Sequence, residues 1–508
     1  MTSTTASTTA AFRGPCAAAL ALALAGCATP PHVPPPAGDA LDARCERAFA
    51  ALDREVDASA VRDAEATRIA GFPSLRATRF LASFAAPGLD ARTFAAWHAR
   101  LVDEDRRARR VEIANLPPDA TRRVRDALAQ EGFGTLAPAA FVEGCGAALA
   151  RRDAGDPARR AQIVARAVVP DDYEDAARIA GLYPLVRIPF AAGVRLYERA
   201  VLQAFAAPPT PRGRPTAYAP DGAAPLAAPE VRALLQRGRD DPLGVPPLRD
   251  VDVERLLATY APILVVDERD ANDRPGRPRL ADDGSPAFVP APLLFGRVAH
   301  TRFGGTTRVQ LVYTAWFAAR PPAYPGDPLA GRLDGVLWRV TLRDDGTPLV
   351  FDSIHACGCY QLFVPTAAVA LRPPLPTLDE QALVPVVLPP VAPGARVLVA
   401  LEAGSHQVRG VRVADAPPGA LRYRIAADDA LSTIALPGGG SRSLYGPDGL
   451  VAGTGRSEAL LFWPLGIRSA GAMRQWGRHA TAFVGRRHFD EAFLLDRYFL
   501  EIAAPAPN

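Results

Sequence analysis

The period of the apolar residues changes once along this chain, and that change constrains the fold more than any other feature. Up to about residue 205 apolar side chains recur at helical spacing, in runs over residues 93–102, 119–129, 159–167 and 189–204. Turn signals such as Pro117-Pro118 separate the runs, and Thr93 and Asp119 stand where N-caps are expected. From Val253 onward the period falls toward two. The segment Thr307-Arg-Val309-Gln-Leu311-Val-Tyr313-Thr-Ala315-Trp316-Phe317 alternates, and so does Val336-Leu-Trp338-Arg339-Val340-Thr-Leu342. The latter runs into Asp344-Asp345-Gly346-Thr347, a hairpin signal that predicts a return strand over 348–360. Further strands fit 396–401, 408–413 and 421–425, and an amphipathic helix fits 488–500. The expected fold is therefore α+β and multidomain. An α-helical domain (residues 39–205) and a Pro-rich linker with a short helix (206–250) precede an antiparallel β-sandwich with a terminal helix (251–508).

A chain of 508 residues with 49% hydrophobic side chains can bury more than one core. It contains no lysine, so all 58 basic residues are arginine, which together with 51 prolines reflects nucleotide composition rather than arginine chemistry. The net charge is only +4 and Arg is interleaved with Asp and Glu, so no nucleic-acid partner is expected. The most apolar late stretch, 382–400, is broken by Pro385, Pro389, Pro390 and Pro393 and cannot span a bilayer.

Near the start, Arg13 precedes an apolar run from Cys16 that closes on Leu24-Ala25-Gly26-Cys27. A basic residue, an apolar core and small residues before a cysteine mark an export segment, and this one resembles a bacterial lipobox. The resemblance implies a signal peptide over 1–26, acylation of Cys27 by palmitate-type chains, and a membrane partner held through that lipid. An ordinary secretory signal with an incidental cysteine is the other reading. Residues 27–38, rich in Pro, would form an extended tether. Ala28 rather than aspartate follows the cysteine, which by the same resemblance implies the outer membrane, with its periplasmic face as the default. The whole chain is similar to uncharacterised proteobacterial lipoproteins. Export would place the cysteines in an oxidising compartment. Cys45 and Cys145 both lie on apolar stripes at helical spacing, so a bridge between them is expected, with buried free thiols as the alternative.

The β-rich part holds five of the seven histidines and the densest chemical spot, His355-Ala-Cys357-Gly-Cys359. On a strand these three side chains would share a face and could bind zinc, given a fourth ligand from His479 or His488. The single residue between the cysteines strains a shared tetrahedron, and a Cys357 to Cys359 disulfide competes with the metal. The acid-rich stretch from Asp267 to Asp273 lacks EF-hand spacing and reads as a solvated turn. Signatures of common hydrolases, nucleotide binders and metalloproteases do not occur.

Four segments follow one another as in a group of β-sandwich proteins. They are Tyr313-Thr-Ala-Trp316-Phe317, Leu333-Asp334-Gly335-Val-Leu-Trp338-Arg339-Val340, the 348–355 segment ending in His355, and Glu402-Ala-Gly404-Ser405-His406. Over roughly 255–410 the chain resembles the necrosis-and-ethylene-inducing-like cytolysins and vacuolar-sorting-like sandwich proteins. It departs from them at their cation site, since Leu333 replaces a histidine and Arg339 stands where glutamate is expected. Only Asp334, His355 and His406 carry over, so the resemblance implies the fold rather than a cation or toxicity. Two readings of function follow. In one, an envelope lipoprotein of binding or structural type presents a cleft lined by Asp334, His355, His406 and His479 to an envelope ligand or protein. In the other, the cleft belongs to a periplasmic hydrolase with His355 as a base oriented by Asp334, or with a metal at His355, Cys357 and Cys359.

Overall fold

Twelve strands join one mixed sheet, which the helices flank. The computed structural model describes residues 40–207, 210–221 and 224–502; the signal segment, Cys27 and the tether lie outside these. In chain order the sheet strands are β1 (Arg214–Pro220), β2 (Ile263–Glu268), β3 (Gly276–Leu280), β4 (Pro286–Pro290), β5 (Leu293–Phe303) and β6 (Thr306–Arg320). They continue with β7 (Gly331–Leu342), β8 (Pro348–His355), β9 (Leu362–Pro365), β10 (Val397–Leu401), β11 (Val408–Val413) and β12 (Leu421–Ala427). Their order is β9-β8-β7-β6-β5-β12-β1-β2-β10-β11, with the β3–β4 hairpin joined to β6 where Gly276 meets Trp316.

The α+β composition is as expected, but the antiparallel sandwich does not describe the pairing. β12 runs parallel to both β1 and β5, and β10 runs parallel to β2. Residues 206–250 also differ from a linker, because β1 inserts between β12 and β2 inside the sheet. The Asp345-Gly346 turn closes the β7–β8 hairpin as the sequence predicts, with Gly346 at φ 88°.

Alternation on the long strands assigns side chains to two cores. Tyr313, Ala315 and Phe317 of β6, with Val336, Trp338 and Val340 of β7, face helices Ala228–Gln236 and Asp250–Tyr260. Val312 and Trp316, with Leu337 and Ile354, face the irregular segment that carries Leu444, Met473 and Phe489. Arg339 is buried on β7. It forks onto Asp352 of β8 and stacks on Phe489, 3.7 Å from the ring centroid.

The expected terminal helix shrinks to Leu494–Tyr498 and gives way to a strand, Phe499–Glu501, paired with Val369–Leu371. Helical bonding over 488–493 is lost to tertiary partners: Phe489 N–H donates to His479 O, and Ala492 O accepts from Arg302 N and Thr301 Oγ1.

The N-terminal helices Ala40–Ala58, Ala91–Ala114, Pro118–Gln130 and Pro138–Gly155 form their own cores. The Cys45–Cys145 disulfide joins the first and fourth of them. Thr93 and Asp119 do not cap. Asp90 accepts from Arg92 N and Thr93 N, and Pro118 starts its helix at the position where a missing N–H costs nothing. The helical part is tied to the sheet through charge, with Glu65 contacting Arg297, and Arg79 contacting both Asp172 and Asp490. The helix Tyr183–Ala206 packs Val201 into the sheet core, so it belongs with the sheet rather than with the domain preceding it.

Candidate functional site

β7 places Asp334 beside the last residue of β8, His355, and the loop after β10 brings His406 against the same carboxylate. Asp334 Oδ2 lies 2.8 Å from His406 Nδ1, and Oδ1 lies 3.4 Å from His355 Nδ1 and 3.3 Å from Arg456 Nη2. On its other side His406 Nε2 stands 3.3 Å from Asp273 Oδ1. Asp273 also accepts from Gly404 N and Arg269 N. The His406 ring stacks on Phe317 with centroids 3.9 Å apart and planes 5° from parallel.

Electrostatics sort these groups. Burial pushes the Asp334 carboxyl up, but the neighbouring His355 and Arg456, with hydrogen bonds from both histidines, hold it well below the ordinary carboxylate range. Asp273, also opposed by burial, is held down at about 2 by its bonds from His406, Gly404 and Arg269. Burial depresses His406 as well, yet the bonds and charges of Asp273 and Asp334 outweigh it and raise its pKa, favouring the imidazolium. His355, with burial dominating over Asp334, is shifted down. The carboxylates of Asp334 and Asp273 thus face His406 and the Arg456 guanidinium.

Three of the six non-glycine residues with positive φ among the described residues cluster here: Leu333 (50°), His406 (51°) and Tyr360 (62°). Such backbone costs on the order of 1 kcal/mol or more per residue and persists where surroundings over-determine it.

The structure brings Asp334, His355 and His406 together, but it does not open a cleft to them. Asp334 and His406 are 0% exposed and His355 is 2% exposed. Instead the cluster backs a pocket of about 350 Å³ through Tyr360, Cys359 and Glu458. Tyr360 meets the His355 ring edge-on at 4.8 Å on one side and lines the pocket on the other; Arg320 Nη1 donates to its hydroxyl at 3.1 Å. The opposite wall is helix Tyr183–Ala206, which contributes Phe190, Val194 and Tyr197, and Leu383, Phe462 and Phe483 complete the apolar lining. Three carboxyls reach this pocket. Glu380 is held by Phe483 N, Val484 N and Arg487. Glu198 and Glu458 make no ion pair among the described residues, and burial pushes the carboxyls of both up.

No family model, curated protein or solved structure matches this chain. The site therefore rests on its own geometry.

The three donors of the zinc alternative, His355, Cys357 and Cys359, do not lie on one strand face. β8 ends at His355 and the chain turns through Gly358 at φ 93°, so the cysteines lie in the turn and share no strand face with the histidine. His479 is packed toward Phe489, with burial holding it down at about 3. His488 faces Asp171 and Asp172, its Nε2 lying 3.2 and 3.5 Å from their carboxylates. Among the described residues no group of three or more His, Cys, Asp or Glu is placed to hold a metal ion. Cys357 and Cys359 are buried, unbridged thiols. Alkylation of the denatured protein without reductant, read by peptide mass spectrometry, is expected to label both of these and neither Cys45 nor Cys145. A doubly unlabelled Cys357/Cys359 peptide would establish the bridge instead.

Asp273, Arg456, Glu198, Glu380 and Glu458 escaped the sequence reading. Asp273 sat in an acid-rich stretch that looked solvated, and it is 0% exposed. Nothing local distinguished the others.

Proposed function

We propose that this protein is a lipid-anchored envelope lipoprotein of binding type, held at the periplasmic face of the outer membrane through Cys27. Its ligand site on this reading is the pocket beneath helix Tyr183–Ala206, and its ligand is a small amphiphile. The carrying observation is the lining: apolar and aromatic walls around Glu198 and Glu458, two carboxyls without an ion-pair partner among the described residues. Pockets of this size and character take an apolar body and orient it with a few polar groups. A head that donates hydrogen bonds, such as an amine, would satisfy the two acids, and the rings of Tyr197, Tyr360 and Phe462 line the same pocket. The hydrolase reading has less support, since the Asp334–His355 pair is sealed behind Tyr360 and offers a substrate no path to the imidazole.

Gly193 supplies the test. It lines the pocket in an ordinary helical conformation, and a Cβ built there meets no atom within 4 Å. Gly193→Trp therefore adds an indole at the pocket wall with open space at its Cβ, and it removes a helix-interior glycine that costs about 1 kcal/mol relative to alanine. Dodecylamine titrated calorimetrically into the wild type is expected to bind at a single saturable site, weakened at least about tenfold in the variant, or about 1.4 kcal/mol. Absence of saturable binding, or equal binding by the variant, would overturn the assignment.

A further inference from the structure

We infer that the protein docks on a lipid bilayer carrying anionic headgroups through one apolar face, built by helix Asp175–Ala180, the outward side of helix Tyr183–Ala206 and residues 459–465. The inference rests on the lipid-anchor reading for its choice of partner. Ile179, Leu182, Leu185 and Leu460 are each at least 61% exposed, Leu460 reaching 79%, and Ile188, Leu461 and Trp463 are exposed beside them. Soluble monomers rarely leave so many large apolar side chains together in water.

These segments form one surface because they are packed against each other. Gly181 approaches Pro464 so closely that a Cβ on it would lie 2.4 Å from the proline Cβ. Glu174 N–H donates to Gly466 O at 2.7 Å, Arg178 Nε donates to Leu465 O at 2.8 Å, and the Phe190 and Phe462 rings lie 5.7 Å apart. Nothing in this region resembles a spanning element; no helix among the described residues is long and apolar enough to cross a membrane. The face would lie on the bilayer rather than pass through it.

Charge and reach choose the occupant. Helix Tyr183–Ala206 carries Arg187, Arg195 and Arg199 but a single acid, Glu198, which lines the pocket on its inner side. Arg195 and Arg199 are exposed on the same outward stripe as Leu185, Ile188, Leu196 and Leu202. Leucines, a tryptophan and arginines on one face are what an interfacial helix presents to acyl chains and anionic headgroups. Twelve residues separate Cys27 from Ala40. At no more than about 3.1 Å per residue they span at most roughly 37 Å, so an acylated Cys27 would hold Ala40 within that distance of the bilayer. Docking would set the pocket's helix wall directly on the membrane surface.

Trp463 reads the contact. The full-length protein is reconstituted into vesicles of equal parts phosphatidylcholine and phosphatidylglycerol with brominated acyl chains, which quench nearby indoles. Of the five tryptophans, Trp97, Trp316 and Trp338 are buried and Trp476 is half-buried. The expected result is quenching in the wild type that is lost in Trp463→Phe. It is also lost in Leu185→Glu/Leu460→Glu, whose exposed positions leave folding intact, as a thermal melt would verify. Unquenched emission in the wild type, or quenching that survives either variant, overturns the docking. So does a dimer seen by light scattering that Leu185→Glu/Leu460→Glu splits, because a second copy would then cover the face. The mass of the Cys27 peptide separates the two readings. Acylated protein that stays unquenched leaves the anchor and removes the docking, and quenching without acylation does the reverse.

Discussion

Asp334→Asn is expected to destabilise the protein by about 3–5 kcal/mol, the cost of leaving buried charge without its partner. The change is isosteric, so it creates no cavity; what it removes is the anion between His406, His355 and Arg456. Arg456 stays charged, with Nε and Nη1 already lacking a hydrogen-bond partner and Nη2 left only Leu333 O at 3.2 Å. The dependence on pH distinguishes this from a generic packing defect. Asp334 has its pKa lowered on folding, so its contribution is present above its unfolded pKa of about 3.8 and is lost as pH falls below that. His406 has its pKa raised, so its part is complete below the unfolded value of about 6.5 and is lost as pH rises through the folded one. The wild-type advantage should therefore be widest between about pH 4 and 6.5. It should narrow on the alkaline side to the Arg456 share and close in acid. Denaturant melts of both proteins across that range measure it. A gap under about 1 kcal/mol at pH 6, or one that does not change with pH, would remove the charge-balance account.

The same cluster marks how far the sequence could be read. Asp334, His355 and His406 were legible as a group because histidine is scarce, and they do converge. Their closure was not legible. It depends on Asp273, 131 positions from the Gly404 amide that helps to bury it, and on Arg456, one arginine among 58 with no local mark. Elements specified by neighbours in sequence were read well, as at the Asp345-Gly346 hairpin and the alternation of β6 and β7. Those specified by distant partners were not. β1 contains Pro215 and Pro220 in a Pro-rich stretch, and it becomes a strand only because β2 and β12 come to flank it from far along the chain. His355, Cys357 and Cys359 failed to share a face for a related reason. The β8–β9 connection had to turn there for Leu362–Pro365 to pair back on Val350–Ser353, and no residue nearby announces that return.

Replacing Cys45 and Cys145 together by alanine is expected to cost about 2–5 kcal/mol, and the loss should fall on the N-terminal helices first. The bridge closes a loop of 100 residues, for which the chain-entropy estimate is about 4.7 kcal/mol. Both side chains sit in the core of Phe49, Leu52, Phe141 and Leu149, so alanine leaves only a small void and the constraint is the main thing removed. Inside that loop lies helix Ala91–Ala114, whose Asp105 and Glu112 are buried against Arg76 and Arg109. Buried ion pairs of this kind are weak sources of net stability, because desolvation offsets most of their attraction. Beside the apolar cores of this region, the disulfide adds stability by restricting the unfolded chain. Helical circular dichroism should thus melt in an early, separate phase in the double variant, while Trp316 and Trp338 in the sheet core remain buried. A single transition within about 1 kcal/mol of wild type would mean that the helical cores hold without the bridge.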